Sequence, residues 1–346
     1  MEYWRDGAFG RTKFFVSNIT PPLHFSTTPV IPMPHPYQAI LLIAFGGPAS
    51  PEEIRPFLAR VTQGLTIPDA RLEEVAHHYE AVGGKSPLNE ITSRQAAALE
   101  KYLSAQHRRL PVYVGMRNSS PFFTETLEQM AHDGVKNALG FILSSHRTDA
   151  SWQRYQRNIE EACAELGSKA PAVDYCAPWH DHPLFIQCWV ELIDKAYAKI
   201  APERRNSTPL LFTAHSLPTP MAARSPYVDD LHASARLIAN KLRRSDWSLA
   251  YQSRSGKPSD PWLEPDIGHA IRKLAAEGRP DVVAAPIGFV CDHVEVLYDL
   301  DIEAKNIADD LEINMVRAGC PNDQPTFIRM IADVIAHKLQ EGEDRR

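Results

Sequence analysis

The chain has 346 residues, with 37 Lys+Arg against 43 Asp+Glu and a formal net charge of −6, which provides no basic face for duplex nucleic acid. Its length supports one large or two medium domains, and its apolar runs are far shorter than the roughly 20 residues of a membrane helix. Five cysteines without a CxxC pair argue against a disulfide framework and favour a reducing compartment. We therefore expect a cytoplasmic globular protein.

Residues 1–37 differ from the rest of the chain, because residues 20–36 contain six prolines. Each proline fixes φ and removes a backbone donor, so no regular element can run through this stretch. The segment lacks the continuous apolar core of a secretory signal, and Glu2 and Asp6 are atypical of a transit peptide. We predict a proline-rich N-terminal arm over residues 1–37, and the sequence leaves open whether this arm is ordered.

From residue 38 onward, short apolar runs alternate with longer amphipathic segments. The apolar runs predict strands at residues 39–45, 111–115, 138–143, 172–175, 210–214, 249–251, 282–286 and 312–316. The amphipathic segments predict helices at residues 51–60, 88–104, 121–133, 152–166, 184–200, 228–243, 266–277, 293–311 and 326–338. Strands that alternate with helices of this length predict an α/β fold, in which parallel sheets are flanked by helices.

The predicted strands are numerous enough for either one closed barrel or two doubly wound lobes. Long polar segments at residues 145–151 and 204–208 favour two Rossmann-like lobes. We predict an N-terminal lobe over residues 38–180, a C-terminal lobe over residues 181–338 and a charged tail over residues 339–346. The C-terminal lobe carries both of the candidate catalytic residues described below.

Motifs for nucleotides and for serine hydrolases fail in this sequence. The Gly-Gly-Pro at residues 46–48 follows the first predicted strand, but it lacks the GxGxxG spacing. The Gly-Lys-Ser at residues 84–86 imitates the end of a phosphate-binding loop, but Tyr79 stands where that loop needs its first glycine. No GxSxG nucleophile elbow occurs. The chemistry of ATP, NAD and acyl transfer is therefore disfavoured.

Two predicted strand ends carry side chains suited to metal or proton chemistry. Ligands of open parallel sheets bind outside the carboxyl ends of the strands, and His215 directly follows the strand at 210–214. An imidazole there can bind a metal or accept a proton, although a histidine that only hydrogen-bonds within its loop is an equal alternative. Glu295 follows the strand at 282–286, and with Asp292 it has the spacing of a capping box, which is the alternative reading for this carboxylate.

Glu295, Asp299 and Glu303 are spaced by four residues, so a continuous helix would place them on one face. His215 and Glu295 would then meet across one cleft, and imidazole and carboxylate both accept Fe²⁺. Two ligands are too few for a permanent structural site, which favours transient metal delivery. Asp299 and Glu303 would form a path for incoming cations or outgoing protons.

Seven segments, in order along the chain, resemble the ferrochelatases, a family that inserts Fe²⁺ into a porphyrin. These are residues 45–48 (FGGP), 79–88 (YEAVGGKSPL), 113–117 (YVGMR), 213–218 (TAHSLP), 251–256 (YQSRSG), 261–266 (PWLEPD) and 288–295 (GFVCDHVE). The resemblance covers about residues 38–338. It implies two Rossmann-like lobes with a porphyrin cleft between them, and it matches His215 and Glu295 to the family's catalytic histidine and glutamate, which are also implied as metal ligands.

The segments at 252–266 and 288–299 resemble the bacterial type that acts on coproporphyrin III. This resemblance implies a lyase that inserts Fe²⁺ to give coproheme in haem b biosynthesis, with release of two protons. It implies porphyrin contacts at Phe45, Tyr79, Ser86, Met116, Arg117, Tyr155 and Trp262. Protoporphyrin IX as substrate, a chelatase for cobalt or nickel, and a non-catalytic tetrapyrrole- or metal-binding protein are the alternatives.

The chain departs from parts of the family in two ways. Phe45 stands where some members have a tyrosine that can approach the metal, so we expect its ring to stack on the macrocycle instead. Several relatives hold a [2Fe–2S] cluster through closely spaced cysteines, whereas the cysteines here are scattered, and we predict neither a cluster nor another permanently bound cofactor. The expected partners are the porphyrin and Fe²⁺ as substrates, with transient contacts to neighbouring haem-pathway enzymes left open.

Overall fold

The computed structural model describes residues 37–64, 67–255 and 259–344, all of which belong to one compact unit, His35–Arg346. Each predicted strand is present in this part of the chain: β1 (Ala39–Ala44), β2 (Val112–Met116), β3 (Asn137–Ile142), β4 (Ala172–Tyr175), β5 (Leu210–His215), β6 (Trp247–Gln252), β7 (Asp281–Ala285) and β8 (Asn314–Arg317). The predicted N-terminal arm lies outside the described residues, except for Tyr37.

The helices follow the predicted order, with two that were not predicted, over residues 69–81 and 219–222. They are α1 (Ile54–Val61), α2 (Asp69–Ala81), α3 (Leu88–Ala105), α4 (Phe123–His132), α5 (Arg154–Leu166), α6 (Pro183–Tyr197), α7 (Thr219–Ala222), α8 (Tyr227–Lys241), α9 (Ile267–Ala276), α10 (Val294–Leu297), α11 (Lys305–Asp310) and α12 (Pro325–Asp344). Within the three described ranges, no helix is long and apolar enough to cross a membrane.

The strands form two four-stranded sheets with the orders β2-β1-β3-β4 and β6-β5-β7-β8, and every pairing is parallel. The predicted α/β fold is therefore confirmed. In each sheet the chain leaves its first strand toward one edge and then returns to pair on the other side of that strand. Such a reversal opens a crevice at the carboxyl ends of the two central strands, which are β1 and β3 in one sheet and β5 and β7 in the other.

The central strands are apolar because helices cover both faces of each sheet. All residues of β1 are buried, as are all residues of β7, which is the pattern of strands in covered parallel sheets. In β5 the first five residues are buried, and only the last, His215, is partly exposed. The end of the apolar run therefore marks the place where the strand leaves the core and its side chain reaches the crevice.

Helix α12 connects the two halves of the molecule, because it packs on α3 beside the first sheet and on α6 beside the second. This helix was predicted to end at residue 338, with a charged tail over residues 339–346. It instead continues to Asp344, and Leu339 is buried. The first part of the predicted tail is therefore helical, and its last two residues lie outside the described ranges.

The single helix predicted over residues 293–311 is wrong, because it is divided in three. The four-residue helix α10 is followed by the π-helical segment Asp299–Ala304 and then by α11. The wider turn shows in the hydrogen bond from Glu303 N to Tyr298 O, which spans five residues at 3.0 Å. A π turn contains an extra residue and rotates the following side chains, so Glu295, Asp299 and Glu303 do not share a simple helical face.

Candidate active site

A cavity of about 280 Å³ opens where the carboxyl ends of both sheets face each other. The first sheet contributes Phe45 after β1 and Ser144 after β3. The second sheet contributes His215 at the end of β5, and Gly288 and Glu295 after β7. The cavity therefore occupies the crevice that the strand order predicts for a ligand, with walls from both halves of the chain.

His215 and Glu295 form a pair in this cavity, with His215 Nε2 3.5 Å from Glu295 Oε1. Their side chains are 30% and 38% exposed, so both can reach a ligand. His215 Nδ1 donates a hydrogen bond to the carbonyl of Ser216, and the Tyr227 hydroxyl donates to the carbonyl of His215 at 2.9 Å. The first bond fixes the ring so that Nε2 is the atom available for chemistry, and the second fixes the backbone that carries the ring.

Glu295 lies in the first turn of α10, where His293 and not Asp292 is the N-cap. His293 Nδ1 accepts a hydrogen bond from Glu295 N at 3.2 Å. The Asp292 carboxylate instead accepts hydrogen bonds from Arg317 Nη1 at 2.8 Å and from Asn322 Nδ2 at 2.7 Å. The predicted capping box is therefore wrong, and the Glu295 carboxylate remains available to His215.

The two side chains shift each other's pKa strongly. Burial alone would lower the pKa of His215, but the Glu295 carboxylate outweighs burial and raises that pKa to about 9. Burial alone would raise the pKa of Glu295, but His215 lowers it to about 2. The free site at neutral pH is therefore an imidazolium–carboxylate pair, and the imidazole must lose its proton before it can bind a cation or act as a base.

The other two predicted path residues, Asp299 and Glu303, line a second cavity of about 380 Å³ together with Asp266. Burial is the main cause that raises the pKa of Asp299 to about 7, and the charge of Glu295 raises it further. The Ser253 hydroxyl donates a hydrogen bond to the Asp299 carboxylate. Asp299 and Glu303 therefore share an acidic chamber, and their role as a path for cations or protons stays a prediction.

Four of the predicted porphyrin contacts line the same cavity as the pair, namely Phe45, Tyr79, Ser86 and Tyr155. Phe45 and Tyr79 both pack edge-on against Phe57, with ring centroids 6.2 Å and 5.9 Å apart. Such packing holds both rings in place at the cavity wall. Burial raises the pKa of the Tyr79 hydroxyl, which therefore stays protonated.

Three of the predicted contacts do not line this cavity. Met116 is 1% exposed, and its sulfur accepts a hydrogen bond from Ser119 Oγ at 3.3 Å. Arg117 lines a separate cavity of about 300 Å³ together with Arg60. Trp262 pairs through its backbone with Pro218, just beyond the end of β5. Their contact with substrate remains a prediction.

His146 also lines the cavity, although it was not among the residues predicted for the site. Its Nε2 donates to Ser234 Oγ at 3.0 Å, because Ser234 uses its own proton to bond the carbonyl of His180 at 2.7 Å. Burial lowers the pKa of His146 to about 3, so the ring is neutral. The rule that ligands bind at strand ends could have identified His146, because this residue lies shortly after β3, much as His215 lies at the end of β5. Tyr227 also lines the cavity, but it lies at the start of α8 and no rule applied to the sequence points to it.

The comparison with known families decides what kind of protein this is. The family model described as Ferrochelatase matches residues 37–339, which include both sheets and the whole of the cavity. The chain belongs to the ferrochelatase family. The resemblance found in the sequence is thereby confirmed, and the His215–Glu295 pair lies in the cleft where a ferrochelatase-family protein is expected to carry its chemistry.

Individual relatives support the same assignment. A ferrochelatase of Rhodopirellula baltica is 42% identical over 307 residues, which cover 88% of this chain and 87% of that protein. A coproporphyrin III ferrochelatase of Mycolicibacterium smegmatis is 39% identical, with 90% and 92% covered. The corresponding protein of Nocardia farcinica is 41% identical, with 89% and 90% covered.

Among solved structures, the sirohydrochlorin chelatase SirB of Bacillus subtilis subspecies spizizenii aligns with a TM-score of 0.54 and 12% identity. The alignment covers 89% of this chain and 97% of that one. At this level of identity the likeness concerns the fold alone. It shows that the two-sheet arrangement of this ferrochelatase-family chain also occurs in another chelatase.

Gly288 brings the segment after β7 close to the end of β5, and we predict that alanine there separates them. A Cβ on Gly288 would lie 2.7 Å from Ala214 Cβ and 2.8 Å from Ala214 Cα. We expect Gly288→Ala to lower the free energy of unfolding by about 2 kcal/mol, as overpacking does, and to lower turnover by this ferrochelatase-family protein. Denaturant unfolding and steady-state kinetics measure the two effects.

The matched control for this prediction is Gly319→Ala, because its added Cβ would meet only Leu192 Cδ2, at 4.0 Å. That variant should unfold at the wild-type denaturant concentration. If Gly288→Ala also unfolds there and keeps full turnover, the close approach of these two segments does not position the site.

Proposed function

We propose that this protein inserts Fe²⁺ into coproporphyrin III, giving coproheme and two protons, as a step of haem b biosynthesis. The observation that carries the proposal is the His215–Glu295 pair at 3.5 Å in the cleft between the two sheets. Membership of the ferrochelatase family supports the metal chemistry. The coproporphyrin III ferrochelatases at about 40% identity support the choice of porphyrin.

In the proposed reaction the deprotonated pair first holds the incoming iron. Neutral imidazole nitrogen and carboxylate oxygen are both acceptable ligands for Fe²⁺, and two of them bind it weakly enough to release it. As the iron moves onto the four pyrrole nitrogens, the freed imidazole of His215 accepts one pyrrole proton. The Glu295 carboxylate passes the other to the acidic chamber, where Asp299, with a pKa of about 7, can accept it. The acidic chamber with Asp299 and Glu303 lets iron in and lets protons out to solvent.

The choice of coproporphyrin is also supported by charge near the cleft. Coproporphyrin III carries four propionates, which need cationic or hydroxyl partners. Arg60 and Arg117 line a common cavity, and the neighbouring Asn118 ties this region to the cleft, because its Nδ2 donates to the carbonyl of Phe45 at 3.1 Å. We propose that these two guanidinium groups bind a propionate of the substrate. We also propose that the protein works without a [2Fe–2S] cluster, because its cysteines are scattered along the chain.

The decisive experiment is an anaerobic absorbance assay in which Fe²⁺ is offered with coproporphyrin III and, in parallel, with protoporphyrin IX. We expect rapid metallation of coproporphyrin and slow metallation of protoporphyrin. A preference for protoporphyrin would retain the chemistry and reassign the substrate, and faster insertion of Co²⁺ or Ni²⁺ would reassign the metal. Binding of porphyrin without insertion of any metal would show a binding protein and overturn the proposal.

A further inference from the structure

Gln252 is a buried polar residue at the end of β6, beside the reacting pair, and it is 1% exposed. In the parallel pairing of β5 with β6, Gln252 stands in register with His215. Its carbonyl accepts a hydrogen bond from Ser216 N at 2.8 Å. The backbone of Gln252 therefore holds the strand end from which His215 projects.

The side chain of the same residue reaches the other member of the pair. Gln252 Nε2 donates a hydrogen bond to the backbone carbonyl of Glu295, 43 residues further along the chain. A carbonyl can only accept, so this contact settles which end of the amide faces Glu295. Gln252 is thereby bonded both to the segment that carries His215 and to the segment that carries Glu295.

Packing alone does not explain an amide at this position. Gln252 Oε1 is buried and has no hydrogen-bond partner among the described residues, and such an unpaired atom costs about 1–3 kcal/mol. An apolar side chain of similar volume would avoid this cost. What only the amide supplies is the donor that bonds the carbonyl of Glu295.

Glu295 depends on contacts of this kind because its own helix is short. Helix α10 has four residues and is followed directly by a π-helical turn, and so short a helix does not hold its own position in water. The N-cap bond from Glu295 N to His293 fixes one side of the residue. The bond from Gln252 fixes its carbonyl on the other side.

We infer that Gln252 is a positioning residue, which holds the Glu295 carboxylate against the His215 imidazole by bonding the segments of both. This inference rests on the proposed function, because it takes these two side chains as the reacting pair. Gln252 also lines the chamber of Asp299 and Glu303, but it is 1% exposed and does not line the cavity that holds the pair. It acts only through the geometry of the pair, where a displacement of about 1 Å can cost 10²-fold in rate.

The test is Gln252→Met, which keeps the volume of the side chain and removes the donor. We expect kcat for Fe²⁺ insertion to fall about tenfold or more, with KM for the porphyrin within twofold of wild type. Placed in a Glu295→Gln background, the same substitution should lower kcat less than twofold, because no carboxylate is left to position. Equal losses in both backgrounds, or an unchanged kcat in the single variant, would overturn the inference.

The matched control is Tyr197→Phe, which also removes a buried side-chain bond to a backbone carbonyl, that of Thr208 at 3.2 Å, but away from the cleft. Its kcat should stay within twofold of wild type in either background. Should Gln252→Met fail to fold, Gln252→Asn takes its place in the same comparison, since an amide one methylene shorter does not reach Glu295 from the unshifted strand.

A structural readout separates this inference from the proposed function. The crystal structure of Gln252→Met should show His215 Nε2 and Glu295 Oε1 more widely separated than the present 3.5 Å. If the wild-type protein metallates no porphyrin, the proposed function fails, yet this separation still decides the role of Gln252. An unchanged separation would overturn that role, whatever the activity.

Discussion

Replacing His215 with alanine should lower kcat for Fe²⁺ insertion about 10³-fold, while the Kd for coproporphyrin III changes less than threefold. The large loss follows because, in the proposed reaction, His215 is both a metal ligand and a proton acceptor, and acid–base catalysis alone contributes 10²–10⁴-fold. Binding is retained because Phe45, Tyr79 and Tyr155, on the opposite wall, are unaffected. Single-turnover absorbance measurements give the rate, and quenching of porphyrin fluorescence gives the Kd.

The matched control is His132→Ala, because the side chain of His132 is 85% exposed on α4. This variant should behave as wild type in both measurements. If His215→Ala keeps a tenth or more of the wild-type kcat, His215 does not take part in the reaction. If His215→Ala instead weakens porphyrin binding by the same factor as it lowers kcat, the role of His215 is to bind the porphyrin and not to take part in the insertion step.

Replacing Glu295 with glutamine should lower kcat about 10²-fold and move the rising limb of the pH–rate profile toward acid. The sign follows from the pair: Glu295 raises the pKa of His215 to about 9, so in wild type the reactive neutral imidazole gains population as pH rises toward that value. Without the carboxylate, the main cause that raises this pKa is lost, and burial moves the pKa back toward its ordinary value of about 6.5. The limb should therefore move by about two pH units.

The measurement for this variant is kcat/KM for Fe²⁺ under anaerobic conditions between about pH 6 and pH 10. Glu277→Gln is the matched control, since Glu277 lies at the end of α9 with a side chain that is 45% exposed. Its profile should overlay that of wild type. A limb that stays near pH 9 in Glu295→Gln would mean that a group other than His215 controls the profile.

The sequence was sufficient to predict the two sheets and the meeting of His215 with Glu295 in one cleft, because both depend on one short-range signal. A strand buried on both faces must be apolar along its length, so the first polar residue after the run marks the strand end. His215 follows such a run, and the rule of ligands at strand ends then places it in a crevice. Phe45 also follows a buried strand, but the resemblance to the ferrochelatases, and not this rule, identified it.

What could not be predicted depends on contacts between residues far apart in the chain. The i,i+4 spacing of Glu295, Asp299 and Glu303 fits a regular helix, yet that segment turns as a π-helix while Gln252 and Ser253 bond it from another strand. No local pattern reports such bonds. That Arg117 lines a separate cavity could not be predicted for the same reason, since its side chain turns toward Asn158, 41 residues away.

The two walls of the cleft are formed by different halves of the chain, so substitutions in one wall need not disturb the other. The proposed proton acceptors and metal ligands, His215 and Glu295, follow strands of the second sheet, whereas Phe45, Tyr79 and Ser86 belong to the first half of the chain. Substitutions in that first half can change which tetrapyrrole is accepted and leave the chelation chemistry intact. Selectivity for the ring and selectivity for the metal are thus free to evolve independently.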